Sequence, residues 1–190
     1  MTIGDFAQAL TRLGENVETE VNYEQFASTV TKFKDAYLKN IDRYKTLSEK
    51  TGIPPELIAV IHHRENTKDY LAGTFNCYLH NGQTLGSITT MEPKGNFFTD
   101  FDEAAVDAVT TKLSSVPLPF GENTDIATML TFAESYNGFG YANNEYVNPY
   151  LYSGTNIYVS GKYTADHIYD PSVVDNQVGT YILLYSIINE

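Results

Sequence analysis

Seven apolar residues, Phe26, Val30, Phe33, Tyr37, Ile41, Tyr44 and Leu47, recur at steps of three and four. That period is the mark of one long amphipathic α-helix, with its Lys and Asp residues on the outer face. The pattern stops before Thr51-Gly52, and glycine is the natural residue just beyond a helix end. The core under such a helix has to be built by packing alone. The chain has one cysteine, Cys77, so a disulfide framework within it is excluded and a reducing cytoplasm is expected. Cys77 lies in the apolar run FNCYL and reads as a buried, inert thiol.

Further helices follow. Phe6, Leu10 and Leu13 suggest a short N-terminal helix that docks loosely or serves as an arm. IPPELIAVIHHREN starts a second core helix, with proline in the first turn and Leu57, Ile58 and Ile61 as its stripe. Residues 70–95 differ: Phe75, Tyr78 and Leu79 precede the turn signal His80-Asn81-Gly82, and a Thr- and Ile-rich stretch follows. They read as a small hairpin or irregular β lobe. Thr99-Asp100 caps FDEAAVDAVTTKL, and Thr124-Asp125 starts IATMLTFAESYNG, with Ile126, Leu130 and Ala133 inward. Residues 138–169 read as a long ordered loop with one short helix. Asp170-Pro171 reads as the start of a last helix with the stripe Val174, Val178, Tyr181, Ile182, Tyr185 and Ile188. The expected class is α+β, predominantly helical. The expected division is an N-terminal helical extension at 1–50 and a domain at 51–190.

Charge removes several function classes. The net charge is −12, and residues 101–190 hold only Lys112 and Lys162 against eleven acids. That half repels phosphates, so neither nucleic acid nor an acidic membrane surface is an expected partner. No apolar run reaches the length of a membrane span, and the start lacks the pattern of a signal peptide. Synthesis in the cytoplasm without a signal peptide is the expectation.

Glu65 carries the chemical argument. It follows Ile61 by four residues and Ile58 by seven, so it lies on the apolar stripe near the C-terminus of its helix. Partial burial and the helix dipole both disfavour its ionised form. A carboxylic acid that keeps its proton near neutrality is what a glycosidase needs to protonate a leaving oxygen. The spacing alone favours a Glu paired with Arg64 or Lys68, or solvated at a frayed helix end, over a catalytic acid. The lobe that follows, and the aromatic residues around Tyr136-Asn137-Gly138, point to a cleft suited to a carbohydrate polymer.

The segments IHHRE, YLHNGQTLG, TTMEPKG, DFDEAAVDAV, ESYNGFGY and VNPYLYSGTNIYVSGKY, in this order and spacing, resemble the lysozyme family of phage and bacterial genomes over roughly residues 53–185. That family is related in fold to goose-type lysozymes and soluble lytic transglycosylases. The resemblance implies a lysozyme-like fold with a small β hairpin lobe and cleavage of the β-1,4 bond in peptidoglycan glycan strands. It implies action at the bacterial cell wall, in host lysis or as a virion-associated enzyme. Glu65 maps to the catalytic acid and Tyr136-Asn137-Gly138 to the motif lining the glycan cleft. Tyr78, His80, Asn81, Thr90 and Tyr150 join Tyr136 and Asn137 as expected sugar contacts. The sequence departs from the family where the turn reads Asn81-Gly82-Gln83-Thr84-Leu85-Gly86, with Gln83 in place of an Asp. Phe101 and Tyr152 stand where relatives carry tryptophan.

The second catalytic group is open. Glu92, Asp100 and Asp102 are the candidates for the base of an inverting hydrolase. Asp100 and Asp102 suit the start of their helix better, so Glu92 is the first choice. Thr89 or Thr90 holding a water, or a lytic transglycosylase that uses the substrate's own 6-hydroxyl, are the alternatives. A non-catalytic glycan-binding or phage structural protein is the rival from another class. His62, His63, His80 and His167 form no metal-ligand motif. His63 and Arg64 are expected at the cleft rim or paired with acids. No metal and no cofactor is expected.

Overall fold

The computed structural model describes residues 12–15, 24–165 and 167–188. Phe6 and Leu10 of the expected N-terminal helix lie outside the described residues, whereas residues 12–15 are helical and Leu13 is buried. Among the described residues the protein is α+β and mainly helical, with one two-stranded antiparallel sheet. No described helix is long and apolar enough to cross a membrane.

The long stripe forms α1, Ala27–Thr51, entered through a 3-10 turn at Glu24–Phe26. Phe33, Tyr44 and Leu47 on it are fully buried, and Gly52 follows at φ 74° with its N–H on the Ser48 carbonyl. The helix runs unbroken across the expected boundary between residues 50 and 51. Lys32–Thr124 form one compact unit, and the described parts of Met1–Thr31 with Asp125–Glu190 form another.

The continuous unit contains most of α1, then α2 (Pro55–Glu65), α3 (Thr67–Ala72) and α4 (Phe101–Ser115). Leu57, Ile58 and Ile61 of α2 are fully buried. Asp100 caps α4 by accepting from the Glu103 N–H at 3.0 Å, and Asp102 in its first turn pairs with Arg43 at 2.7 Å. The lobe between α3 and α4 is irregular. A single bridge between Cys77 and Thr84 replaces the hairpin that the resemblance implied. Its backbone is held by a few backbone pairs, among them the Tyr78 N–H on the Gln83 carbonyl and the Leu85 N–H on the Asn76 carbonyl, and by side chains. Tyr78 Oη donates to the Ser87 carbonyl at 2.8 Å and accepts from the Phe98 N–H at 2.8 Å. Thr89 Oγ1 donates to the Pro93 carbonyl at 2.7 Å and accepts from the Asn96 N–H at 2.9 Å.

The discontinuous unit holds α5 (Ile126–Asn137), two short helices α6 (Gly140–Asn143) and α7 (Pro149–Tyr152), strands β1 (Lys162–Ala165) and β2 (Ile168–Asp170), and α8 (Thr180–Ile188). Asp125 caps α5 through the Thr128 N–H at 2.7 Å. Among the described residues the paired strands are β1–β2, with Lys162 opposite Asp170 and Tyr163 opposite Tyr169 and a register shift between Tyr163 and Ala165, in a stretch expected to be a loop. The last helix starts at Thr180, well after Asp170-Pro171. The Asp170 carboxylate accepts from the Ser172 N–H and hydroxyl at 2.9 and 2.6 Å, a local turn that competes with a helical cap. Val174 is consequently 51% exposed, while Val178, Tyr181 and Ile182 are buried. Gly179 lies so close to the Leu151 carbonyl that a Cβ there would overlap it.

Candidate functional site

Glu65 is the last residue of α2 and is half-buried. Its backbone carbonyl sits against Gly82, where a Cβ would overlap the oxygen. Gly82 is at φ 71°, a conformation that glycine adopts without strain. The Asn66 side chain donates to the Gly82 carbonyl at 3.0 Å, and its oxygen caps α3 through the Asp69 N–H at 3.0 Å. The turn at 80–83 is therefore built directly onto the end of the helix that carries Glu65.

Side chains fix that turn from the other side as well. His80 Nε2 meets Asp107 Oδ2 on α4 at 2.9 Å. Asn81 Oδ1 accepts from the Gln83 N–H at 3.1 Å, and Asn81 Nδ2 donates to the Glu92 carbonyl at 3.2 Å. Gln83 accepts from the Thr90 and Met91 N–H groups at 3.1 and 3.0 Å and donates to Thr90 Oγ1 at 3.0 Å. The amide clamps the neighbouring loop with both of its ends, whereas a carboxylate has no donor for Thr90 Oγ1. Glu65, His80, Asn81, Gln83 and Thr90 thus belong to one continuous arrangement.

Two expected members leave it. The Glu92 side chain is 81% exposed and lies 3.4 Å from Lys94. It points to solvent, so no surrounding structure positions it as a base. Tyr78 is fully buried with its hydroxyl committed to the lobe's backbone, so it holds the lobe and has no face for a sugar.

Beneath Glu65 runs a polar network that sequence reading missed. His62 is fully buried; its Nε2 donates to Asp69 Oδ2 at 2.9 Å, which leaves Nδ1 to accept from Tyr44 Oη at 2.9 Å. Thr74 Oγ1 donates to the other Asp69 oxygen, and the Asn76 N–H donates to the same carboxylate. Burial would raise the Asp69 carboxyl; the hydrogen bonds from His62, Thr74 and Asn76 outweigh it and hold the group well below the usual carboxylate range. Burial, with the negative charges of Asp69 and Glu65 adding to it, pushes the Cys77 thiol well up, in keeping with the inert thiol expected. His62, Asp69 and Cys77 are the described residues whose donor atoms could hold a metal.

His63 and Arg64 are not at a rim. Both are buried, and His63 sits edge-on to the rings of Phe33 and Tyr70 with neither ring nitrogen hydrogen-bonded. Burial, then the nearby Arg64 and His62, push its pKa down to about 3. The Ile58 to Ile61 stripe is wider than the sequence suggested, because α2 is buried from Leu57 to Arg64.

Tyr136, Asn137 and Tyr150 belong to the discontinuous unit. Asn137 is exposed and Tyr136 half-buried at the end of α5. The Asn137 amide lies 3.5 Å from Asn148 Oδ1. Tyr150 is buried in α7, which counts against a direct sugar contact there. The same unit hides an acid that the sequence pattern did not single out. Glu134 is fully buried, four residues after Leu130 on the same face of α5, and pairs with Arg12 at 3.1 Å. Burial raises its carboxyl above the ordinary value, although Arg12, Asn148 and the Ala142 N–H pull the other way.

This gives a pH dependence with a definite sign. Above the ordinary glutamate value of 4.5 and below the raised folded value, folded Glu134 keeps a proton that the unfolded chain has lost. Stability is therefore fullest on the acid side of that window and falls as pH rises through it. Glu134→Gln is expected to flatten this slope in thermal melts taken at a series of pH values; an unaltered slope would assign the effect elsewhere.

Compared with family models, with curated proteins and with solved structures, the chain matches none.

Proposed function

We propose that the protein cleaves the glycan strands of peptidoglycan, with Glu65 as the general acid. The observation that carries this reading is the setting of Glu65: a half-buried acid on the final residue of a helix, with the turn at 80–83 seated on its backbone. The carbonyl end of a helix disfavours a negative charge, which favours the protonated form that donates to a glycosidic oxygen. Asn137 and Tyr136 supply hydrogen bonding and stacking to the sugars in this reading, which rests on the family resemblance of the YNGFGY segment.

The placement of the other acids favours the transglycosylase form of the reaction. Glu92 stands in solvent, Asp100 caps α4 and Asp102 pairs with Arg43. None of these three serves as a positioned base beside Glu65. Attack by the substrate's own 6-hydroxyl needs no second carboxylate and leaves a 1,6-anhydro end. Mass spectrometry of muropeptides after digestion of purified cell walls tests the reading. Anhydro ends support it in this form, reducing ends point to hydrolysis, and intact glycan refutes it in favour of a binding or structural protein.

Asn137→Ala separates a substrate role from a structural one. Loss of one hydrogen bond, about 1–1.5 kcal/mol, is expected to slow cleavage roughly tenfold. The melting temperature should stay close to wild type, since the side chain is exposed and its hydrogen bond to Asn148 is long. Lower thermal stability with normal specific activity would make Asn137 a cap.

A further inference from the structure

We propose that His62, Asp69 and Cys77 form a zinc-binding site in the core of the continuous unit, an assignment that is independent of the proposed glycan cleavage. One imidazole nitrogen, one carboxylate oxygen and the thiol sulfur lie within 4.8 Å of one another, and all three residues are buried. Zinc bonds of about 2.0–2.3 Å in a tetrahedral arrangement hold ligand atoms about 3–4 Å apart, so the set closes on an ion with small movements. The mixture of nitrogen, oxygen and sulfur suits zinc better than magnesium or calcium, which take oxygen ligands.

Charge and tautomer are consistent with the ion. One carboxylate and one thiolate neutralise a divalent cation, which is the condition for keeping it in a buried place. Without metal, His62 Nε2–H and the Cys77 thiol both face the Asp69 carboxylate. Zinc takes the Nε2 lone pair, the imidazole proton moves to Nδ1, and Nδ1–H then donates to Tyr44 Oη across the same 2.9 Å. Such an outer partner on the second nitrogen is what metal-bound histidines normally have. The thiol loses its proton to solvent, so one proton is released for each zinc bound. The three ligands come from α2, α3 and the lobe, so the ion would tie together the segments on either side of Glu65.

The test uses the full chain, stripped with a chelator and titrated with cobalt(II) and then zinc. The expected result is a thiolate-to-cobalt charge-transfer band that saturates at one equivalent and is abolished by zinc. Cys77→Ser should lose the band and bind zinc at least tenfold more weakly, with an unchanged circular dichroism spectrum. If Cys77→Ser fails to fold, the wild-type titration decides alone. Absence of the band, or cobalt bound without it, overturns the site.

Discussion

Glu65→Gln is expected to fold normally and to lose glycan cleavage by about 10²–10⁴-fold or more, because the amide matches the acid in size but has no proton to give. Residue 65 is half-buried and ends its helix, so an isosteric change there disturbs little packing. Turbidity loss of wall suspensions measures the rate, and a thermal melt measures the fold. Clearing at the wild-type rate by a folded Glu65→Gln protein would remove the acid from this residue and the proposed reaction with it.

Gly82→Ala is expected to have the largest effect on stability. Two costs combine: the backbone is at φ 71°, where an L side chain is strained, and the new Cβ would overlap the Glu65 carbonyl. That oxygen is backbone at a helix end, so no rotamer change relieves the clash. A loss of about 2–4 kcal/mol is expected, seen as a fall in Tm of roughly 5–15 °C. Relief of the clash pushes the turn at 80–83 off the end of α2, so cleavage should fall further than the population of folded protein alone explains. A Gly82→Ala protein with wild-type Tm would mean that the turn has slack. In that case it does not brace Glu65.

The parts of the fold that the sequence carried openly are those where local period and tertiary burial agree. The stripe from Phe26 to Leu47, the caps at Asp100 and Asp125, and the end of α2 at Glu65 are of this kind. Asp170-Pro171 misled because Asp before Pro starts a turn as readily as a helix, and the deciding partner, Ser172, lies inside that turn. The lobe at 74–100 has strand-like composition, but several of its backbone N–H groups bond the Tyr78, Gln83 and Thr89 side chains, which no alternation pattern encodes. Tyr78 looked like a sugar contact for the same reason: its hydroxyl partner is a carbonyl nine residues away. Asp69 is seven residues from His62, with a helix end between them, so periodicity does not link the pair. Glu134 was legible, since it continues the inward spacing of Leu130 and repeats the pattern of an acid on an apolar stripe that marks Glu65.

The order of the two units along the chain has a consequence for how the protein is made. Lys32–Thr124 is an uninterrupted stretch, and the other unit draws on residues from both sides of it. Arg12 meets its partner Glu134 across 122 positions, so that ion pair has to wait until residue 134 has left the ribosome. The middle of the chain can reach its own contacts during synthesis, at translation rates of about 5–20 residues per second. The flanking pieces join over a long gap, and the entropic cost of closing it is smaller when the intervening segment is already compact. A nascent chain halted soon after Thr124 therefore carries an Arg12 whose acidic partner has still to be synthesised.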